Sequence, residues 1–168
     1  MMFNIGDLVV YGSDGVCEIA DISIRKFGSE DREYYILVPV IDKKSVVYVP
    51  VKNEKLKAKM HRVLSSNEIY DLISSIPKQK GIWIDNDILR REKYNEIIKN
   101  GKHLELISLI KAVKSKQESL KNTGKKLHQS DAKFLAEAQK MLHGEFSVVL
   151  NIEIEEVDPF IKEQLSTS

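Results

Sequence analysis

The sequence predicts an α+β protein in which a small antiparallel β-sheet, curled towards a barrel, precedes a compact all-helical domain. In the first third of the chain, short β-branched and aromatic runs alternate with clusters of turn-forming residues, which is typical of a small antiparallel sheet. After residue 65 the apolar residues recur with a period near 3.6, the period of an α-helix. The 168 residues are enough for two small domains.

Strands are expected where β-branched and aromatic residues are dense and turn formers flank them. Gly12-Ser13-Asp14-Gly15 ends the first such run, Gly28-Ser29 ends the second, and Asp42-Lys43-Lys44 precedes the last. Glycine, serine and aspartate favour tight turns for reasons of backbone freedom and local hydrogen bonding. The strands are therefore predicted at residues 7–11, 16–25, 33–38 and 45–51.

Capping and stop signals define the predicted helices. Ser65 is expected to cap a short helix that Pro77 ends. A second helix, at residues 85–100, stops at Asn100-Gly101, and Ser130 is expected to cap the last long helix. Between them, residues 104–120 show an apolar stripe. The predicted organisation is a β domain at 1–62, a short helix and linker at 63–82, a helical domain at 83–152 and an acidic tail at 153–168.

Composition argues against several classes of protein. Cys17 is the single cysteine, so an internal disulfide and a multi-cysteine metal site are excluded. No apolar run approaches the ~20 residues that span a bilayer, and the N-terminus lacks the pattern of a secretory signal. We therefore expect a cytoplasmic protein without a membrane partner.

No constellation of side chains predicts catalysis. The four histidines have no metal-ligand spacing, no glycine-rich phosphate loop is present, and Cys17 is expected to be a buried structural thiol. We predict a protein that is not an enzyme, with no cofactor, no metal and no small-molecule substrate.

Positive charge is concentrated in the middle of the chain. Residues 77–150 carry fifteen Lys and Arg against nine Asp and Glu, whereas residues 151–168 carry one against five. Such a segment fits a partner rich in phosphate, to which lysines bind with little sequence preference. A solvated lysine-rich helical surface explains the same charge equally well.

Trp83, the only tryptophan, lies beside this basic segment between two isoleucines. One interpretation is an apolar plug at the joint between the two domains, and the residues alone favour it. The other is an exposed wedge that inserts at a base step from the minor groove.

The segment 46–50, Val-Val-Tyr-Val-Pro, is a candidate edge strand. Proline is tolerated on edges, and an exposed edge can accept a strand from another protein. An ordinary central strand is an equally good interpretation of these residues.

Sequence motifs in both halves resemble the CarD/CdnL family, and the first half also resembles the polymerase-interacting domain of transcription-repair coupling factor. The first half carries Phe3-x-x-Gly6-Asp7-x-Val9-Val10-Tyr11-x-x-x-Gly15-Val16-x-x-Ile19, Glu33-Tyr34-Tyr35-x-Leu37 and Val49-Pro50-Val51-x-Asn53. The second half carries Trp83, the Asn100-Gly101 stop, a basic helix and Phe134-Leu135-Ala136-x-Ala138-x-x-Met141-Leu142-x-x-Glu145. The resemblance spans roughly residues 1–150.

The resemblance implies a Tudor-like domain that binds the β subunit of bacterial RNA polymerase. It also implies a helical domain that contacts promoter DNA, largely independently of sequence, at the upstream edge of the transcription bubble. Such proteins are non-enzymatic regulators of initiation that stabilise the open promoter complex, notably at ribosomal RNA promoters. The implied polymerase contacts are Arg25, Val46, Val47, Tyr48 and Val49. The implied DNA contacts are the wedge Trp83 with Arg90, Lys111 and Lys133, to which Arg91, Lys93 and Lys114 are added from the basic helices.

The chain departs from the family pattern at a few positions. Tyr48 stands where an arginine is common, which removes one charge that could pair with polymerase. Gly12, Asp14 and Cys17 replace proline, histidine and glycine at the first turn. The alternative function is a protein–protein adaptor whose basic helical domain binds an acidic partner rather than DNA.

Overall fold

The computed structural model describes residues 3–167, which form a five-stranded sheet followed by helices. The strands are β1 (Leu8–Tyr11), β2 (Val16–Phe27), β3 (Glu30–Pro39), β4 (Val47–Pro50) and β5 (Met60–Arg62). The helices are α1 (Glu54–Lys57), α2 (Ser66–Ser75), α3 (Asp87–Asn100), α4 (His103–Lys121), α5 (Gln129–Leu150) and α6 (Ile154–Ser166). The predicted α+β class, with a small antiparallel sheet before the helices, is confirmed.

The strand order in the sheet is β4-β3-β2-β1-β5, and every pair is antiparallel. The long β2–β3 hairpin pairs Phe27 with Glu30 across a two-residue turn. Gly28 has a φ of +86° there, which only glycine adopts without strain. Within residues 3–167 no ladder joins β4 to β5, so both strands are edges and the sheet stays open where the sequence predicted a curled barrel.

One face of the sheet holds a small apolar core. Ile19, Leu37 and Val49 from three neighbouring strands have no solvent exposure, and Cys17 lies among them. Burial, with a smaller contribution from the negative charge of Asp14, raises the pKa of the Cys17 thiol to about 11. The thiol is therefore protonated at neutral pH and behaves as a small apolar side chain, as predicted.

The helical part begins with a reciprocal cap on α2. The Ser65 hydroxyl accepts a hydrogen bond from the Glu68 amide at 3.2 Å, and the Glu68 carboxylate accepts one from the Ser65 amide at 3.0 Å. A short 3-10 turn, Ile76–Lys78, ends this helix at Pro77. The predicted stop of α3 is also present, because Gly101 is left-handed with a φ of +66°.

Two helix starts differ from the prediction by two residues each. The side chain of Asn86 caps α3 by accepting the amides of Ile88 and Leu89 at 3.0 Å, so this helix begins two residues after Asp85. The α5 helix begins after His128, and the predicted cap Ser130 lies inside its first turn.

The chain separates into two compact units, the first ending at Leu64 and the second beginning at Ser65. This differs from a separate linker at 63–82, because α2 packs with α5 and α6 inside the second unit. It also differs from an acidic tail at 153–168. That segment forms α6, whose Val157 and Ile161 are buried because they continue the apolar face against α5.

Candidate functional site: a sheet edge and a tryptophan cleft

The β4 strand presents unpaired backbone groups along one side. Its register pairs Val49 with Tyr35 and Tyr48 with Ile36, and the Val51 amide donates to the Glu33 carbonyl at 3.0 Å. Hydrogen-bonded and non-hydrogen-bonded pairs alternate in an antiparallel ladder. The N–H and C=O of Tyr48 therefore point away from β3, towards the place that a further strand would occupy.

The side chains of the predicted polymerase contacts divide between the two faces of this strand. Val49 is fully buried and Val47 packs against the same core, whereas Val46 is 47% exposed and Tyr48 is 42% exposed. Alternation along β4 puts Tyr48 on the outward face, and Val46 immediately precedes the strand. Arg25 shares that face through the β2–β3–β4 register and lies 3.9 Å from Asp21.

The outward face carries three aromatic rings in mutual contact. The ring of Phe27 lies 5.2 Å from that of Tyr34 and 5.0 Å from that of Tyr48, with steep interplanar angles. Tyr34 and Tyr48 are 6.2 Å apart. We call these three residues the aromatic face.

In the helical unit, Trp83 is partly buried against the core that α3, α4 and α5 share. Its indole N–H donates to the Asp85 carboxylate at 3.2 Å. The ring is therefore neither sealed inside the unit nor a freely projecting wedge. It is held in one orientation and remains accessible from solvent.

A buried arginine fixes that orientation. The guanidinium of Arg90 lies 4.2 Å from the centroid of the Trp83 ring, a cation–π distance. Its Nε and Nη2 donate to the two Asp131 oxygens at 3.0 and 2.9 Å, and Nη2 also donates to Asp87 at 2.8 Å. Its Nη1 donates to the Ile84 carbonyl at 2.8 Å.

These contacts correct the prediction that Arg90 contacts DNA directly. The Arg90 side chain is 2% exposed and the Asp131 side chain is 1% exposed. The N–H groups of the Arg90 guanidinium therefore point into the helical unit. A hydrogen bond from Arg90 holds the pKa of the exposed Asp87 carboxyl below its ordinary value. Sequence reasoning missed this because nothing in the spacing of Arg90 and Asp131, 41 residues apart, signals their contact.

The backbone before Trp83 lies directly on α4. The Ile82 amide donates to the Ser108 carbonyl at 3.2 Å. A Cβ on Gly81 would lie 3.0 Å from the Ala112 backbone, tighter than an ordinary contact, so glycine suits this close approach. The Tyr94 hydroxyl donates to the Ile82 carbonyl at 2.5 Å, and burial, then Asp131, raises the pKa of Tyr94 to about 12.

Lys111 also acts on this segment and is a second correction to the predicted DNA contacts. Its ammonium donates to the carbonyls of Ile76 and Gln79 at 2.8 and 2.7 Å. The Ile76 carbonyl lies at the end of α2 and the Gln79 carbonyl at the end of the 3-10 turn, and a positive charge is favourable at both ends. Lys111 therefore ties the residues that precede Trp83 to α4, and it also lines one of the clefts beside Trp83.

Trp83 separates two open clefts of about 510 and 530 Å³. Lys116 lines both clefts, with its ammonium 5.4 Å from the centroid of the indole ring. Lys125 and Lys126 line the first cleft together with His128. We call Trp83, Lys116, Lys125 and Lys126 the tryptophan cleft. Sequence reasoning placed these lysines in the basic run but not among the specific contacts, because only the fold brings them to the indole.

The remaining predicted DNA contacts are on the surface of the helical unit. Arg91 and Lys133 are exposed. The ammonium of Lys93 lies 3.9 Å from Glu96, and that of Lys114 lies 3.6 Å from Asp158. Against the cost of burial, a hydrogen bond from Lys162 and the charge of Lys114 hold the pKa of Asp158 below its ordinary value.

Within residues 3–167, no group of three or more His, Cys, Asp or Glu side chains is arranged to hold a metal ion. No helix in the described part of the chain is long and apolar enough to cross a membrane.

Comparison with known protein families decides the identity of the first unit. Residues 3–64 match the family described as the CarD-like/TRCF RID domain. The sheet unit is an RID domain. The resemblance predicted for this part of the sequence is thereby confirmed, and no curated protein matches the chain.

The RID domain is an RNA polymerase-interacting domain and a protein-interaction module, not a catalytic one. The chain therefore fits an RNA polymerase-interacting transcription factor. The match ends at residue 64, the last residue of the first compact unit, so the tryptophan cleft lies outside it.

Proposed function

We propose that this chain is a non-enzymatic bacterial transcription regulator that binds the RNA polymerase β subunit and promoter DNA. The RID domain docks polymerase, and the helical unit contacts DNA near the upstream edge of the bubble and stabilises the open complex. The observation that carries the proposal is an RID domain followed, in the same chain, by an indole in a cleft that Lys116, Lys125 and Lys126 line together with Asp85 and Asp87. Binding to RNA polymerase and promoter DNA would place the protein in the cytoplasm.

The open edge of the RID domain supports the first contact. An extended segment can add to β4 through the outward N–H and C=O of Tyr48, and pockets for alternate side chains then give specificity. Val46 and Tyr48 would touch the added segment directly, with Arg25 on the same face. Val47 and Val49 would act by holding the strand on the core.

The tryptophan cleft supports the second contact. The lysines of the cleft can bind phosphates independently of the DNA sequence. An aromatic ring can occupy a base step that is already unstacked. Arg91 and Lys133, which are exposed, stay in the proposed contact set. Lys93 and Lys114 join it if phosphate displaces their carboxylate partners. Arg90 and Lys111 act by holding Trp83 and its backbone.

The proposed mechanism needs only weak DNA affinity. Docking to polymerase raises the local concentration of the helical unit at the promoter to about the millimolar range. A ligand shifts an equilibrium only by its difference in affinity for the two states. A tenfold preference for the melted over the closed duplex would therefore stabilise the open complex by about 1.4 kcal/mol.

The test measures the lifetime of open complexes formed by purified holoenzyme on a ribosomal RNA promoter after a competitor is added. We expect the wild-type chain to lengthen this lifetime and Trp83→Ala to remove most of the gain while polymerase binding is kept. Because Trp83 also packs against the core, Trp83→Phe serves as the folding control and should retain part of the effect. Lys140→Gln, at an exposed lysine on α5 that does not line the clefts, is the matched charge control.

An unchanged lifetime with bound polymerase, together with capture of an acidic protein by the same lysines, would favour the adaptor function instead. Footprinting of the promoter separates the two, since only the DNA-binding function extends protection at the upstream edge of the bubble.

A further inference from the structure

The outward side of the RID sheet has an unusual surface composition for an exposed face. Phe27 is 55% exposed and Tyr48 is 42% exposed, although both are large and apolar. Between them, Tyr34 is nearly buried and joins the two rings into one continuous patch. Contiguous apolar surface of this kind on a small domain marks an interaction site more often than scattered apolar residues do.

The strand register places this patch at the free edge. Tyr48 lies on the edge strand β4, directly opposite Ile36 on β3, and Tyr34 is two residues earlier on β3. Phe27 ends β2 at the hairpin. Val46, 47% exposed, extends the apolar surface along the same edge. Any strand added to β4 would therefore lie beside the aromatic face.

Each of the two arginines that the register of β2 and β3 places on the outward face has a carboxylate neighbour. Arg25 lies 3.9 Å from Asp21, and Arg32 lies 3.2 Å from Glu30. Both ion pairs lie on the face of β2 and β3 that carries the rings of Phe27 and Tyr34. A face whose arginines already have carboxylate partners offers little net charge to a partner, so apolar contact must supply the recognition.

From these observations we propose that the RID domain recognises RNA polymerase through an extended segment that places an apolar or aromatic side chain on Tyr48 and Phe27. This inference rests on the proposed function and specifies the chemistry of the partner segment. A cross-strand neighbour of Tyr48 would bring its Cβ within about 4.5–5.5 Å of the tyrosine Cβ. At that distance an aromatic or branched side chain covers the exposed rings, whereas an acidic one would lose water without gaining a cation.

The polymerase is the occupant that the molecule favours, because the aromatic face is continuous with the edge of a domain that belongs to an RNA polymerase-interacting family. A second copy of this chain is the competing occupant. Both would use the β4 edge, but only self-association depends on the concentration of this protein alone.

The experiment measures binding of the full chain to purified core RNA polymerase, with Tyr48→Arg, Phe27→Glu and Tyr48→Phe compared with the wild type. We expect Tyr48→Arg and Phe27→Glu to weaken binding at least tenfold and Tyr48→Phe to change it less than threefold. Tyr70→Arg is the matched control, since Tyr70 has the same 42% exposure as Tyr48 but lies on α2. Raising the salt concentration from 0.1 to 0.5 M should weaken wild-type binding less than threefold.

If Tyr48→Arg binds polymerase as tightly as the wild type or more tightly, this inference is wrong but the proposed function stands. The reason is that an arginine improves only an interface that pairs charges. Self-association that Tyr48→Arg abolishes, with polymerase affinity unchanged, assigns the face to a second copy and also overturns it. If the wild-type chain does not bind polymerase at all, the proposed function fails and the inference fails with it. Thermal unfolding of each variant shows whether a loss of binding reflects a loss of fold.

Discussion

The two units of this chain expose aromatic residues in opposite electrostatic settings. On the RID sheet, three rings contact one another, and the nearby arginines pair with carboxylates of their own strands. In the helical unit, a single indole is flanked by a buried arginine and by lysines that line its clefts. From this difference we propose different partners for the two surfaces, an extended protein segment for the first and a polyanion for the second.

The units also differ in what holds the aromatic side chains. Edge-to-face contacts between neighbouring strands hold the aromatic face, and each contact contributes about 0.5–1.5 kcal/mol. A buried ion pair that joins α3 to α5 holds Trp83. An ion pair out of water is costly to break from one side, because the remaining charge keeps its burial but loses its partner.

The largest expected effect is the loss of this ion pair. Asp131→Ala leaves the buried guanidinium of Arg90 without its main partner, and we expect it to destabilise the helical unit by about 3–5 kcal/mol. Because Trp83 is the only tryptophan, its fluorescence reports the loss of the stacked cation directly. Urea unfolding followed by that fluorescence measures both effects.

Asp87→Asn is the matched control for this prediction. The Asp87 side chain is 60% exposed although it also accepts a hydrogen bond from Arg90, and an exposed ion pair contributes little to stability because solvent screens it. If Asp131→Ala costs no more than Asp87→Asn, the ion pair does not hold the indole, and the contrast between the two units weakens.

A smaller effect is expected in the salt dependence of DNA binding when a lysine of the tryptophan cleft is replaced. Lys116→Gln and Lys126→Gln should each lower the steepness with which DNA binding falls with salt, by about one unit in the logarithmic slope if each lysine meets one phosphate. Fluorescence anisotropy of a labelled promoter duplex across a salt series measures this slope. Lys140→Gln should leave the slope unchanged, and a cleft variant that also leaves it unchanged would show that the phosphates bind elsewhere.

The sequence predicted β1 to β4 and α2 to α5 because their signals are local, but it did not predict α1, β5 or α6. The Gly101 stop and the Ser65 cap depend on residues within one turn, and the strands on turn formers between β-branched runs. The surfaces depend on distant residues. Asp131 neutralises Arg90 from another helix, and Lys111 donates to carbonyls more than 30 residues away. These two basic residues therefore form internal hydrogen bonds, although in sequence they resembled the exposed ones.

The same distinction explains the acidic segment after residue 152. A tail was expected there because the segment has five acidic residues against one basic residue and contains Pro159, which disfavours a helix interior. Val157 and Ile161, four residues apart, nevertheless form one buried face of α6 against α5. Spacing was a better guide than composition here, since four-residue separation brings two side chains onto one side of a helix.

The smallest expected effect concerns pH and is confined to the helical unit. Burial lowers the pKa of His143, the charge of Lys114 lowers it further, and Asp158 opposes both. The folded protein therefore binds a proton at this site less readily than the unfolded chain, whose histidine has its ordinary pKa near 6.5. As the pH falls below that value, the unfolded state takes up more protons than the folded state. His143 therefore costs no stability above about pH 6.5, and it lowers the free energy of unfolding progressively below that pH.

Urea unfolding at pH 7.5 and 5.5 tests this sign, with His143→Gln as the comparison. The wild-type chain should lose more stability than His143→Gln between the two pH values, because the amide cannot take up a proton. The RID domain should show no matching difference between the two proteins, since His143 belongs to the other unit. An equal loss in both chains would assign the pH dependence to other groups, and a larger loss in His143→Gln would mean that Asp158 outweighs burial and that the folded state favours the protonated imidazole.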